Sequence, residues 1–141
     1  MKLAANKHNK RTYRSGLEKV VAEYLKQHQK QLRYEELKIE WRDLRYRTYT
    51  PDFVLDNGII IETKGIFERP DQKKHVWIKR QHPNTDIRFV FTNADKWYRK
   101  DVKHMTYGKW CDKMGFKYCN YRQFPRVIKE WLNEWLRYTV N

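Results

Sequence analysis

Hydrophobic and polar positions along the chain alternate between two periods, and the change of period marks the elements. Leu17, Val20, Val21, Tyr24 and Leu25 follow the i, i+3, i+4, i+7, i+8 spacing of one helical face. Ser15 precedes them as an N-cap, so the spacing predicts a first helix ending near Gln29. From Leu32 to Thr50 the period drops to two, with Leu37, Ile39 and Trp41 alternating against Lys38 and Glu40. Arg42 to Arg47 is charged and reads either as a surface loop or as a linker toward a second subunit. Val54-Leu55 and Ile59-Ile60-Ile61 flank the turn residues Asp56-Asn57-Gly58 and predict a β-hairpin. A helix is expected over 71–81, bounded by Asp71 and Pro83, and a central strand over Ile87 to Phe91. Strand, helix and strand imply a right-handed crossover between parallel neighbours. Thr106 as N-cap and Gly115 as stop frame a short helix to Met114, and 116–120 is a candidate edge strand. Val127, Ile128, Trp131, Leu132, Trp135 and Leu136 then form a wide apolar stripe on a last helix from Pro125 to about Tyr138, suited to a core or a dimer surface.

Three charged residues break the hairpin pattern. Asp52, Glu62 and Lys64 occupy positions where a buried strand favours apolar side chains, and such charges are rarely tolerated unless paired or bound to metal. Side chains alternate along a strand, so Glu62 and Lys64 share a face. Asp52 joins them only in one register. A two-residue Asn57-Gly58 turn sets Asp52 opposite Thr63, whereas a three-residue loop from Asp56 to Gly58 sets it opposite Glu62. In the second arrangement Gly58 takes the left-handed position of a G1 bulge. An odd loop is therefore the expectation.

Composition adds the partner. The 141 residues are one domain's worth of chain, with 31 Lys and Arg against 17 Asp and Glu, a net charge of +14. So large an excess favours a polyanion, nucleic acid above all. No apolar run approaches the roughly 20 residues needed to span a bilayer, and residues 1–7 lack the apolar core of a signal peptide, so a cytoplasmic protein without a membrane partner is expected. Cys111 and Cys119 have neither the number nor the spacing of a zinc site and read as packing residues. Residues 1–14 form a basic arm, with Lys7, Lys10, Arg11 and Arg14 as candidate phosphate contacts; Lys73 and Lys74 on the 71–81 helix are further candidates for DNA.

Two carboxylates across a hairpin suit a hard divalent cation. Mg²⁺ is expected, with Mn²⁺ able to substitute, because magnesium keeps several waters beside one or two carboxylates. Lys64 could hold an attacking water or stabilise charge growing on phosphoryl oxygens. Glu18 stands three residues after Ser15, which locally favours a capping box. The rival reading makes it a fourth member of the central cluster.

Taken together, the stretches Arg14-Ser15-Gly16-Leu17-Glu18, Tyr49-Thr50-Pro51-Asp52-Phe53, Asn57-Gly58-Ile59, Glu62-Thr63-Lys64-Gly65, Lys73-Lys74-His75, Gln81-His82-Pro83, Asp86-Ile87-Arg88 and Thr106-Tyr107-Gly108 closely resemble the phage endonuclease I family of Holliday-junction resolvases. The resemblance covers about Tyr13 to Glu130. It implies an α/β (α+β) fold with a PD-(D/E)xK restriction-endonuclease-like core, a mixed sheet flanked by helices. It implies Asp52, Glu62 and the Thr63 carbonyl as metal ligands, Lys64 as catalytic, and Glu18 as an active-site carboxylate reaching a second metal position, so one or two ions per site. Paired nicks in four-way junctions and other branched DNA, a phage-infected bacterial host and a strand-exchanged homodimer connected through 42–48 are implied likewise, with 15–141 as a single nuclease domain. The alternatives are a nuclease of the same fold with another DNA substrate and a non-catalytic basic junction-binding protein. No small-molecule substrate is expected.

Overall fold

The computed structural model describes residues 12–97 and 105–139, the last five as backbone only. Helix α1 runs Gly16–His28, α2 Arg69–Gln81, α3 Tyr107–Met114 and α4 Phe124–Thr139. Strands are β1 Ile39–Arg42, β2 Tyr46–Tyr49, β3 Phe53–Val54, β4 Ile60–Lys64, β5 Ile87–Phe91 and β6 Tyr118–Asn120. A four-stranded mixed sheet has the order β3-β4-β5-β6, and β1 pairs with β2 in a separate antiparallel ribbon. β3 lies antiparallel to β4; β4, β5 and β6 run parallel, joined through α2 and then α3.

The sheet is covered on both faces, which explains why its inner strands lack a clean polar alternation. On one face Ile60, Phe89 and Phe91 pack with Phe67, Ile78 of α2 and Trp110 of α3, and the β1-β2 ribbon adds Trp41 and Tyr49. On the other, Ile61 and Val90 meet Val21, Ala22 and Leu25 of α1 and Phe124, Ile128 and Trp131 of α4. The stripe of α4 is thus core over its described part. Arg88 points to this second face. It is buried yet paired, bonding Asp86 and, at 2.9 Å, Glu134 Oε1 of α4. Both cysteines are buried and free, in keeping with packing roles.

Several boundaries shift, and β6 begins at Tyr118, two residues later than expected. α2 begins at Arg69, two residues before the expected Asp71, because Pro70 sits in its first turn, where a missing N–H costs nothing. α4 begins one residue early, at Phe124. The charged segment after Trp41 forms an exposed loop at 43–45: Asp43 N donates to the Arg45 carbonyl, and Arg42 pairs with Tyr46, so β1 and β2 flank it as a hairpin. Among the described residues no helix is long and apolar enough to cross a membrane.

Candidate active site

The register of the central hairpin decides what its charges can do. Phe53 pairs with Ile61 and Val54 with Ile60, and Leu55 N donates to the Ile59 carbonyl at 2.7 Å. Asp56, Asn57 and Gly58 are therefore the loop. Gly58 N donates back to the Leu55 carbonyl at 2.9 Å, and Gly58 has φ of +91°, the left-handed conformation expected of a G1 bulge. Continued one step past Phe53, this register carries Asp52 to the level of Glu62.

Asp52 and Glu62 are both buried, and each is oriented by a neighbour. Asp52 Oδ2 accepts from Thr63 N and Thr63 Oγ1, both at 2.8 Å. Glu62 Oε2 accepts from the Tyr49 hydroxyl at 2.5 Å. Lys64 Nζ lies 3.6 Å from Glu62 Oε1 and 3.6 Å from Asp71 Oδ2 at the start of α2, suspended between the two carboxylates. Lys74, one turn along α2, stands 3.9 Å from Asp71 Oδ1 and over the Tyr49 ring.

Glu18 comes in from α1. Ser15 Oγ accepts from Glu18 N at 3.1 Å, so the forward half of the capping box forms. The reverse half does not close on Ser15. Glu18 Oε2 instead accepts from Arg14 N at 2.9 Å and from the Tyr34 hydroxyl, which turns the carboxylate toward Asp52. The capping box, in which this carboxylate would bond the Ser15 amide, is therefore only half formed, and the side chain stands beside Asp52 instead.

Glu35 was not foreseen. Ligand oxygens of Glu18, Glu35 and Asp52 lie within 4.8 Å of one another, close enough to share an ion. Glu35 N donates to the Asp52 carbonyl at 2.9 Å, and Glu35 adopts φ of +51° to make that approach. Its sequence context is a mixed-charge stretch with no motif, and contacts made only in the folded chain, the bridge between Tyr34 and Phe53 and the Arg33–Asp56 ion pair among them, bring it to the hairpin. Tyr49, from β2, and Asp71, from the start of α2, reach Glu62 and Lys64 only through the tertiary packing of those elements. Asp52 is common to both groupings, with Glu62 and Lys64 on one side and Glu18 and Glu35 on the other.

Electrostatics match a site short of positive charge. Burial, then the proximity of Asp52, pushes the Glu62 carboxyl up to about 7, against the partial relief given by Lys64. Burial also raises Asp52, although the two Thr63 hydrogen bonds oppose the shift and Glu18 adds to it. Crowded carboxylates that resist ionisation are what a divalent cation relieves, and an all-oxygen donor set fits a hard ion such as Mg²⁺.

Of the candidate DNA contacts, Arg14 is ion-paired to Glu35 at 2.8 Å, with most of its side chain in solvent. Lys73 is exposed on α2. Lys7, Lys10 and Arg11 lie outside the described residues.

Residues 1–139 match the sequence profile described as Phage endonuclease I. The chain belongs to the phage endonuclease I family. It is 40% identical over 124 residues to "Endonuclease I" of Escherichia phage T7, covering 86% of this chain and 79% of that protein. It is 41% identical over 112 residues to "Endodeoxyribonuclease 1" of Enterobacteria phage T3, covering 78% of this chain and 72% of the other.

Proposed function

We propose that this member of the endonuclease I family hydrolyses phosphodiesters of branched DNA, four-way junctions above all, at the centre built from Asp52, Glu62, Lys64 and Glu18. The observation that carries the reading is the hairpin register. It brings Asp52 and Glu62 level at the end of an otherwise apolar strand pair, with Lys64 on the same face.

Asp52 and Glu62, with the Thr63 carbonyl, would hold one divalent cation, and Glu18 with Glu35 would extend the donor set toward a second, sharing Asp52. A bound ion supplies a Lewis acid that polarises the phosphodiester and lowers the pKa of water beside it. Thr63 fixes the rotamer of Asp52, and Tyr49 fixes that of Glu62. Lys64, held between Glu62 and Asp71, presents its ammonium to the attacking water or to the charge growing on the phosphoryl oxygens. The P–O bond to the water oxygen forms as the P–O bond to the leaving sugar oxygen breaks; the water gives up a proton to solvent and the sugar oxygen takes one up, leaving a phosphate monoester and a hydroxyl. The protons of Lys64 are donated as hydrogen bonds and need not be transferred. Paired nicks require two such centres, so a homodimer on one junction is part of the proposal.

A labelled four-way junction incubated with the protein in Mg²⁺ and in EDTA tests it. Cleavage is expected only with the metal, and is expected to vanish in Glu62→Gln and Lys64→Ala while junction binding persists. Equal cleavage by the variants would remove these residues from the mechanism. Binding without cleavage by the wild-type protein would favour a junction-binding protein, and equal cutting of linear duplex would favour another DNA substrate.

A further inference from the structure

α2 divides its charges between two faces. Asp71 and Lys74 look toward Lys64 and Tyr49, while Arg69, Lys73, Trp77 and Arg80 recur at helical spacing on the outer side. That outer face forms one wall of a groove of about 630 Å³ against α3. Its floor is apolar, made by Val76, Trp77, Trp110 and Met114, and Arg69, Lys73, Arg80 and Lys113 carry its charge. Among the described residues no acidic side chain lines it. Trp77 is 42% exposed, a large indole left in solvent, and the Arg80 guanidinium lies 5.8 Å from the centroid of its ring.

A duplex offers such a groove only phosphates, which leaves the indole without a partner. An unpaired nucleotide offers both parts: a base whose face can stack on Trp77 and a phosphate for the surrounding cations. The volume lies within the range of small-ligand pockets, enough for a nucleobase with its sugar and phosphate. We propose that the α2–α3 groove binds an unpaired stretch of the DNA substrate, with Trp77 as the stacking platform and Arg69, Lys73, Arg80 and Lys113 as phosphate partners. The proposal rests on the nuclease reading only for the identity of the polyanion. It places a strand on the side of α2 away from the carboxylate centre, so that α2 separates the strand being cut from an unpaired segment beside the branch.

The test uses the full-length wild-type chain in EDTA, so that no cleavage intervenes. A short oligothymidylate carrying one 5-bromodeoxyuridine is bound, irradiated and mapped by mass spectrometry, and affinities for the same strand and for a duplex of equal length are measured by anisotropy. The photoadduct is expected on Trp77. Trp77→Ala is expected to weaken single-strand binding about 5- to 150-fold, the range that the stacking of one base implies, with Trp77→Phe recovering most of it and duplex binding unchanged. Adducts confined to other residues, unchanged single-strand affinity, or an equal loss for duplex would each overturn the proposal, the last converting the groove into a duplex track. The photoadduct needs no variant to fold, and its readout is independent of metal. A groove that binds in a protein that does not cut leaves this inference standing and removes the catalytic one; a protein that cuts without the adduct does the reverse.

Discussion

At the scale of single residues, the site depends as much on the groups that aim its carboxylates as on the carboxylates themselves. Tyr49 is the clearest case. Its hydroxyl is buried with Glu62, and burial together with the Glu62 charge holds its own ionisation well above the usual tyrosine range, so it remains a donor. The Tyr49 ring packs edge-on against His75 at 5.2 Å; burial drives His75 well below its usual range, and it packs as a neutral ring. Tyr49→Phe keeps that packing and removes one hydrogen bond. Groups that orient a metal ligand typically contribute 10–100-fold in affinity or activity. The Mg²⁺ concentration for half-maximal junction cleavage should therefore rise by about that factor, with the thermal midpoint of the metal-free protein little changed. An unaltered Mg²⁺ titration would show that Glu62 needs no such support.

At the scale of elements, the hairpin loop sets the register and α1 brings Glu18 beside Asp52. Gly58 has open space where a Cβ would project, so a substitution there is opposed by backbone conformation and not by a clash. Gly58→Ala forces a residue with a Cβ into the left-handed region, at a cost of roughly 1–2 kcal/mol. Urea unfolding should report a loss of that size. Cleavage should fall further than the stability loss accounts for if the loop relaxes toward a two-residue turn, because that register separates Asp52 from Glu62. α4 illustrates a different kind of specification. Its amphipathic stripe marks a buried face, but its anchoring to the sheet runs through Arg88 and Glu134, residues far apart in sequence whose charges compensate one another when buried.

At the scale of the whole molecule, an excess of positive charge surrounds a small acidic centre. Without metal, Glu62 binds its proton more tightly when folded than when unfolded, since its carboxyl rises from an ordinary 4.5 to about 7. Between these values the folded state carries more protons, so stability falls as pH rises through that window. Chemical denaturation of the metal-free protein at pH 5 and pH 7.5 should show the higher stability at pH 5, and Glu62→Gln should flatten the difference. A divalent ion should add stability at the higher pH, about 2.7 kcal/mol when free ion stands at 100 times its Kd. A protein whose stability ignores both Glu62 and added Mg²⁺ would not hold the ion there.

Much of this was legible in the chain. Helical spacing fixed α1 and α3 to within a residue at each end, because Ser15, Thr106 and Gly115 carry their own capping chemistry. Asp56-Asn57-Gly58 together with the misplaced charges of Asp52, Glu62 and Lys64 required a three-residue loop, since only one register joins them. The family resemblance to endonuclease I likewise lay in local motifs. What the sequence could not determine were contacts made across long separations: Glu35 beside Asp52, Tyr49 on Glu62, Asp71 on Lys64 and the groove formed by α2 with α3. Each depends on how distant segments cross the sheet. Short-range periodicity and capping are encoded within a few residues, whereas the partner of a buried charge is chosen by the packing of the whole chain.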